Sequence, residues 1–144
     1  MKKGLLLVLL SVVVWSCDKK IPKEKQEYDK AISEILAVHD EVMPQMGTLS
    51  SLIEKTEAKI DTTAEGKKFK HVNENLKEAH ESMMTWMVEF GDEFPNALKD
   101  TLYSIEEYHK REPKVENEKQ KVQEMKSMVF RSVEKAKSLL EKQE

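Results

Sequence analysis

The sequence predicts an all-α fold, an elongated antiparallel three-helix bundle. Three observations lead there. Apolar residues recur in alternating steps of four and three along three long stretches, a mean period of about 3.5 that presents one seam to partner helices. Charged residues make up 35% of the 144-residue chain, both signs mixed, as on the solvated faces of such helices. No strand-like alternation of any length occurs, and four glycines are too few for a protein of tight hairpins or phosphate-cradling loops.

The first element is an address and not part of the fold. Met1-Lys2-Lys3 precedes an apolar run from Gly4 to Trp15, and Ser16-Cys17 follows. That run as a helix spans about 18 Å, short of a hydrocarbon core of about 30 Å, so it has the layout of a secretory signal peptide and not of a transmembrane helix. Cys17 is the only cysteine, which rules out an internal disulfide. Val14, Ser16 and Cys17 resemble the lipobox of bacterial lipoproteins, where a small residue precedes the acylated cysteine. The resemblance implies a lipoprotein signal peptide over 1–16 and a fatty-acylated (palmitate-bearing) Cys17. The protein would then be anchored to a membrane of the cell envelope, facing the periplasm or the cell surface. Cleavage after Ser16 to leave a free thiol is the alternative. Residues 17–27 read as the acylated cysteine and a polar tether, and 28–144 as the helical domain. Fully extended, residues 18–27 reach about 33 Å. Without Lys2 and Lys3 the chain holds 22 basic against 27 acidic side chains, a net of −5 that argues against nucleic-acid binding.

The first stripe is Tyr28, Ile32, Ile35, His39, Val42, Met46, Leu49, Ile53, Thr56 and Ile60. Its register passes through Pro44, so the pattern predicts one long helix from about Pro22 to Ile60, kinked where proline removes a backbone hydrogen bond. The kink either shapes a groove or merely curves the helix around its neighbours. The second stripe is Phe69, Val72, Leu76, Ala79, Met83, Trp86 and Phe90. Thr62-Thr63-Ala64-Glu65 reads as its capping box, Thr62 paired with Glu65, and Gly91 as its stop. Gly91 to Asn96 reads as an interruption, after which Leu98, Leu102, Ile105 and His109 predict a short helix continuing the second layer. The third stripe is Val115, Val122, Met125, Val129, Ser132, Ala136 and Leu139, widened by Val133 and Leu140, with Pro113 in the first turn. The polar run Glu106 to Lys121 is expected as a solvated turn at the anchor-proximal end.

Two segments, His39 to Gly47 and Met83 to Met87, together with Arg131 to Ala136, resemble a group of small uncharacterised lipoproteins of Gram-negative bacteria. Many of these carry the label "viral A-type inclusion protein", which reflects coiled-coil similarity. The resemblance spans most of the mature chain and implies an anchored helical bundle in the envelope. No catalytic residues come with it.

One constellation points to chemistry. His39, Met43 and Met46 share a face of the first helix, and His80, Met83, Met84 and Met87 recur at i, i+3, i+4 and i+7 on the second. Folding the first helix back on the second pairs positions whose numbers sum to about 125, which brings both sets to one height. Thioethers with imidazole suit Cu(I), and a His/Met pair suits haem. The competing reading is packing, since His39, Met46 and Met83 occupy seam positions and methionine fills core gaps. Trp86 divides the same way, between an interface anchor and core. His39-Asp40-Glu41-Val42-Met43 lacks the second histidine of a zincin helix, and His80 to Met84 lacks it too. Acidic neighbours such as Asp40-Glu41 diverge by about 100° around the helix and need not share a proton. The expectation is therefore a non-enzymatic, lipid-anchored module that contacts an envelope protein or acts as a spacer. Metal or haem binding is the alternative.

Overall fold

The structure, a computed structural model, describes residues 21–142, and among these it is all helical, without a strand. The helices are α1 (Lys23–Val42), α2 (Gln45–Glu57), α3 (Ala64–Glu93) and α4 (Ile105–Glu141). α4 packs against each of the other three, and α2 also packs against α3. Cross-helix pairs give the directions. Ser132 donates to the Asn75 carbonyl and Lys121 meets Glu89 at 3.2 Å, so numbers fall along α4 as they rise along α3. Lys119 pairs with Glu34 and Lys126 with Glu41, so α1 and α4 run the same way.

Residue by residue, the three stripes become the core. Ile32, Ile35, Val42, Leu49, Phe69, Leu76, Met83, Val122, Val129 and Ala136 are all buried. Burying a large aliphatic or aromatic side chain contributes roughly 1.5–3 kcal/mol, which makes the seams the main source of stability. Surface ion pairs such as Lys23–Glu27 add little beside this.

Several boundaries differ from expectation, each for a physical reason. The first helical stretch divides into α1 and α2 at Met43–Pro44 instead of running unbroken. Proline has no amide to return to Asp40, so the ladder lapses there, but Met43 (φ −48°, ψ −42°) and Pro44 (φ −61°, ψ −20°) keep helical dihedrals. The seam therefore keeps its register, and Val42 and Leu49 on either side are fully buried. α2 ends at Glu57, which leaves Ile60 exposed and not in the seam. Helix α1 begins at Lys23, so residues 23–27 belong to its first turns and the tether shortens.

The cap of α3 is Thr63, one residue later than expected, and its hydroxyl accepts the Gly66 amide at 3.0 Å. Asp61 accepts from both the Thr63 amide and its hydroxyl, and these bonds hold the Asp61 carboxyl below its ordinary 3.8. Gly91 does not stop α3, which continues to Glu93 and ends before Pro95. A residue preceding proline disfavours helical ψ, and Phe94 has φ −124°, ψ 58°.

The short helix expected over Leu98–His109 is not a separate element: only Ile105 to His109 are helical, as the start of α4. Residues 94–104 form a non-helical turn, and α4 starts at Ile105 with Ser104 as its cap, Oγ accepting the Glu107 amide at 3.2 Å. The interruption near 91–96 is thus the turn from α3 into α4, not a break inside a layer. Pro113 lies well inside α4, not in its first turn. The run Glu106–Lys121 is helix, with Tyr108, Val115 and Glu118 buried, and the solvated turn lies upstream of it.

Candidate functional site

The seven His/Met candidates do not form one face. Met83 is fully buried and Met46 packs against the core, whereas Met43, Met84 and Met87 are exposed. His39 and His80 are half-buried. The His39 ring stacks on Trp86 with centroids 5.4 Å apart, which meets the expected sum of about 125 between the first two layers. Its Nδ1 lies 3.1 Å from the Asp40 carboxylate, and its buried Nε2 has no hydrogen-bond partner among the described residues. Among those residues, no group of three or more His, Cys, Asp or Glu stands close enough to share a metal ion. Cys17, the expected lipidation residue, lies outside the described residues.

The His39 stack opens an aromatic ladder. Trp86 stacks on Phe90 at 5.1 Å, and Phe90 meets Phe94 at 5.3 Å. Trp86 and Phe90, four apart on α3, stand one above the other, so their spacing builds that step directly, and Phe94 joins from just past the helix end. Beside it sits Glu118 of α4, only 2% exposed, with Lys121 at 3.7 Å. Burial pushes the Glu118 carboxyl above its ordinary 4.5, opposed by the positive charge of Lys121. The Trp86 indole N–H lies near enough to favour the carboxylate but closes no hydrogen bond of good geometry. The cluster sets a carboxyl on the core-facing side of α4.

A second buried polar contact ties α2 to α3. The Asn73 amide donates to the Ile53 carbonyl at 2.8 Å and to the Thr56 hydroxyl at 2.9 Å, and that hydroxyl donates to the Leu52 carbonyl at 2.7 Å. Neither Asn73 nor Glu118 stands among the residues singled out from the sequence. For Glu118 a signal was present: position 118 lies between Val115 and Val122 at the seam spacing, so a charge there falls on the core side. Asn73 carries the same signal, standing four after Phe69 and three before Leu76, and it is buried where its neighbour Val72 is only half-buried.

The richest cluster gathers where the chain enters α1. Tyr28 of α1, Tyr103 of the turn and Tyr108 of α4 pack edge to face or tilted, with centroids 5.5–6.0 Å apart. The Arg111 guanidinium lies 4.2 Å from the Tyr103 ring centroid. The Tyr108 hydroxyl donates to the Thr101 carbonyl and accepts the Tyr103 amide at 3.2 Å. Lys25, itself buried, meets Asp100 at 2.8 Å and Asp29 at 2.7 Å. These bonds raise the Lys25 ammonium above its ordinary value and lower the Asp100 carboxyl. A groove of about 410 Å³ between α1 and α4 opens beside the tyrosines, lined by Glu24, Glu27, Tyr28, His109 and Lys119 among others.

No protein-family model, curated protein or solved structure matches this chain. No helix among the described residues is long and apolar enough to cross a membrane.

Proposed function

We propose that the protein is a lipid-anchored, non-enzymatic helical module of the bacterial cell envelope, acting through contact with another envelope protein or as a spacer. Residues 1–16 serve as its lipoprotein signal peptide, and Cys17 carries the acyl chains. The observation that carries this reading is the junction at Cys17. An apolar run ends at the chain's only cysteine, and a helix of the packed domain begins at Lys23. The resemblance to Gram-negative lipoproteins supports the same reading. We infer further that the helices stand as three antiparallel layers of an elongated bundle. α1 and α2 form one layer, bent at Pro44, and α3 and α4 form the others. The opposed numbering of α3 and α4 across their contacts supports this.

The test is intact mass with and without palmitate labelling, comparing the wild type with Cys17→Ala. The wild type is expected to carry label and acyl mass and to sediment with membranes, and the variant to lose both mass and label. A wild-type chain without label in the soluble fraction overturns the reading.

A further inference from the structure

The turn between α3 and α4 is tied down from within and carries exposed leucines without. Phe94 is buried, Asp100 is held by Lys25, Tyr103 packs on Tyr28, and the Thr101 carbonyl is held by Tyr108. A turn tied at this many points presents its remaining side chains at defined places. Those it presents outward include, beside Lys99, Asp100 and Ser104, two large apolar ones: Leu98 is 85% exposed and Leu102 68%. Ile105, the first residue of α4, is 55% exposed, and Ile21, just before α1, is 56%. The Lys25–Asp100 pair and the tyrosine cluster place this turn beside the start of α1, so the four side chains share one end of the molecule. Scattered exposed leucines are ordinary on a protein surface. Two leucines and two isoleucines at the end where the tether arrives need an occupant.

The chain outside the described residues says which. Five residues separate Cys17 from Lys23, and even fully extended they span at most about 18 Å. Acyl chains on Cys17 therefore hold this end within reach of the bilayer interface whatever the tilt of the bundle. We propose that Ile21, Leu98, Leu102 and Ile105 form a membrane seat, in which the 94–104 turn beds into the headgroup and upper acyl region and stands the bundle upright on the lipid. Lys99 between the leucines offers basic charge to an anionic leaflet, and the neighbouring Asp100 carboxylate is engaged by Lys25. Tyr103 supplies an aromatic residue of the kind favoured at such interfaces. The proposal rests on acylation at Cys17, and its test reads the two separately.

With Cys17 acylated, a cysteine introduced at an exposed site is the only free thiol. Full-length Leu98→Cys, labelled with an NBD fluorophore, is reconstituted in vesicles of phosphatidylethanolamine and phosphatidylglycerol. Ala58→Cys, exposed at the end of α2, serves as the control. The expected result is a blue shift, a severalfold rise in emission and quenching by nitroxide lipids at 98, with the probe at 58 remaining in water. Intact mass of the same samples reports the anchor. An acylated chain with both probes in water overturns the seat and keeps the anchor. Where intact mass shows no acylation, the same probes are placed in a Cys17→Ser chain so that the introduced cysteine is again the only thiol. Burial at 98 alone on vesicles then keeps the seat without the anchor, and both probes in water remove both. Burial at 98 and 58 alike means the rod lies flat, and overturns the proposal. Burial at 98 that follows protein concentration without lipid assigns the patch to a second copy, and also overturns it.

Discussion

At Gly66 the helix start depends on the absence of a side chain. A Cβ there would overlap both the backbone nitrogen and the carboxylate of Asp61, the residue that orders the Thr63 cap. Helix propensity favours alanine over glycine by roughly 0.5–1 kcal/mol, so propensity alone predicts that Gly66→Ala stabilises the protein. Crowding of this kind costs about 1–3 kcal/mol and outweighs that gain. Gly66→Ala is therefore expected to lower the midpoint of chemical denaturation, and a midpoint at or above wild type would show that the cap can shift aside. The same scale explains the displaced cap. Thr62 and Thr63 are equivalent on paper, and the Asp61 carboxylate selects Thr63 by accepting its amide and its hydroxyl.

The helices show what periodicity can and cannot decide. Pro44 interrupts the backbone ladder without shifting the seam, because helical dihedrals on both sides preserve the angular step from Val42 to Leu49. Gly91 reads as a stop but lies inside α3, where nothing stands within 4 Å of the point that a Cβ would occupy. Its glycine only adds freedom to the unfolded chain. Gly91→Ala is accordingly expected to stabilise the protein by about 0.5–1 kcal/mol, measured as a shift of denaturation midpoint at unchanged slope. A loss of stability would mean that the last turn of α3 needs glycine. The real stop is Pro95, acting through Phe94, whose ring turns inward to close the ladder begun by His39.

For the molecule as a whole, stability against pH carries the mark of Glu118. Its carboxyl is raised in the folded state by burial, so the native protein holds that proton more tightly than the unfolded chain. The resulting penalty is absent below the ordinary 4.5 and grows as pH rises through the elevated folded value. Glu118→Gln removes the charge and keeps an amide of the same shape, while Lys121 retains Glu89 at 3.2 Å. Denaturation across the pH range should find the variant more stable by about 1 kcal/mol at neutral pH, with the gain vanishing towards pH 4. A gain that persists undiminished in acid would assign the effect to packing and not to ionisation.

The helical class, the three seams and most of their buried members were legible in the sequence, because a side chain's place around a helix follows from its number alone. Ile32, Leu49, Leu76, Met83 and Val129 needed no partner to be recognised. The layout around Cys17 was legible as chain order. Tertiary structure decided the rest. Leu98 and Leu102 stand at helical spacing from Ile105, yet the tyrosines and the Lys25–Asp100 pair hold their segment as a turn with both side chains outward. His39 and Trp86 became a stack, and Glu118 a buried charge, only when three helices met. Periodicity specifies which face of a helix is greasy. What that face meets depends on contacts between residues far apart in the chain, and no local pattern encodes those.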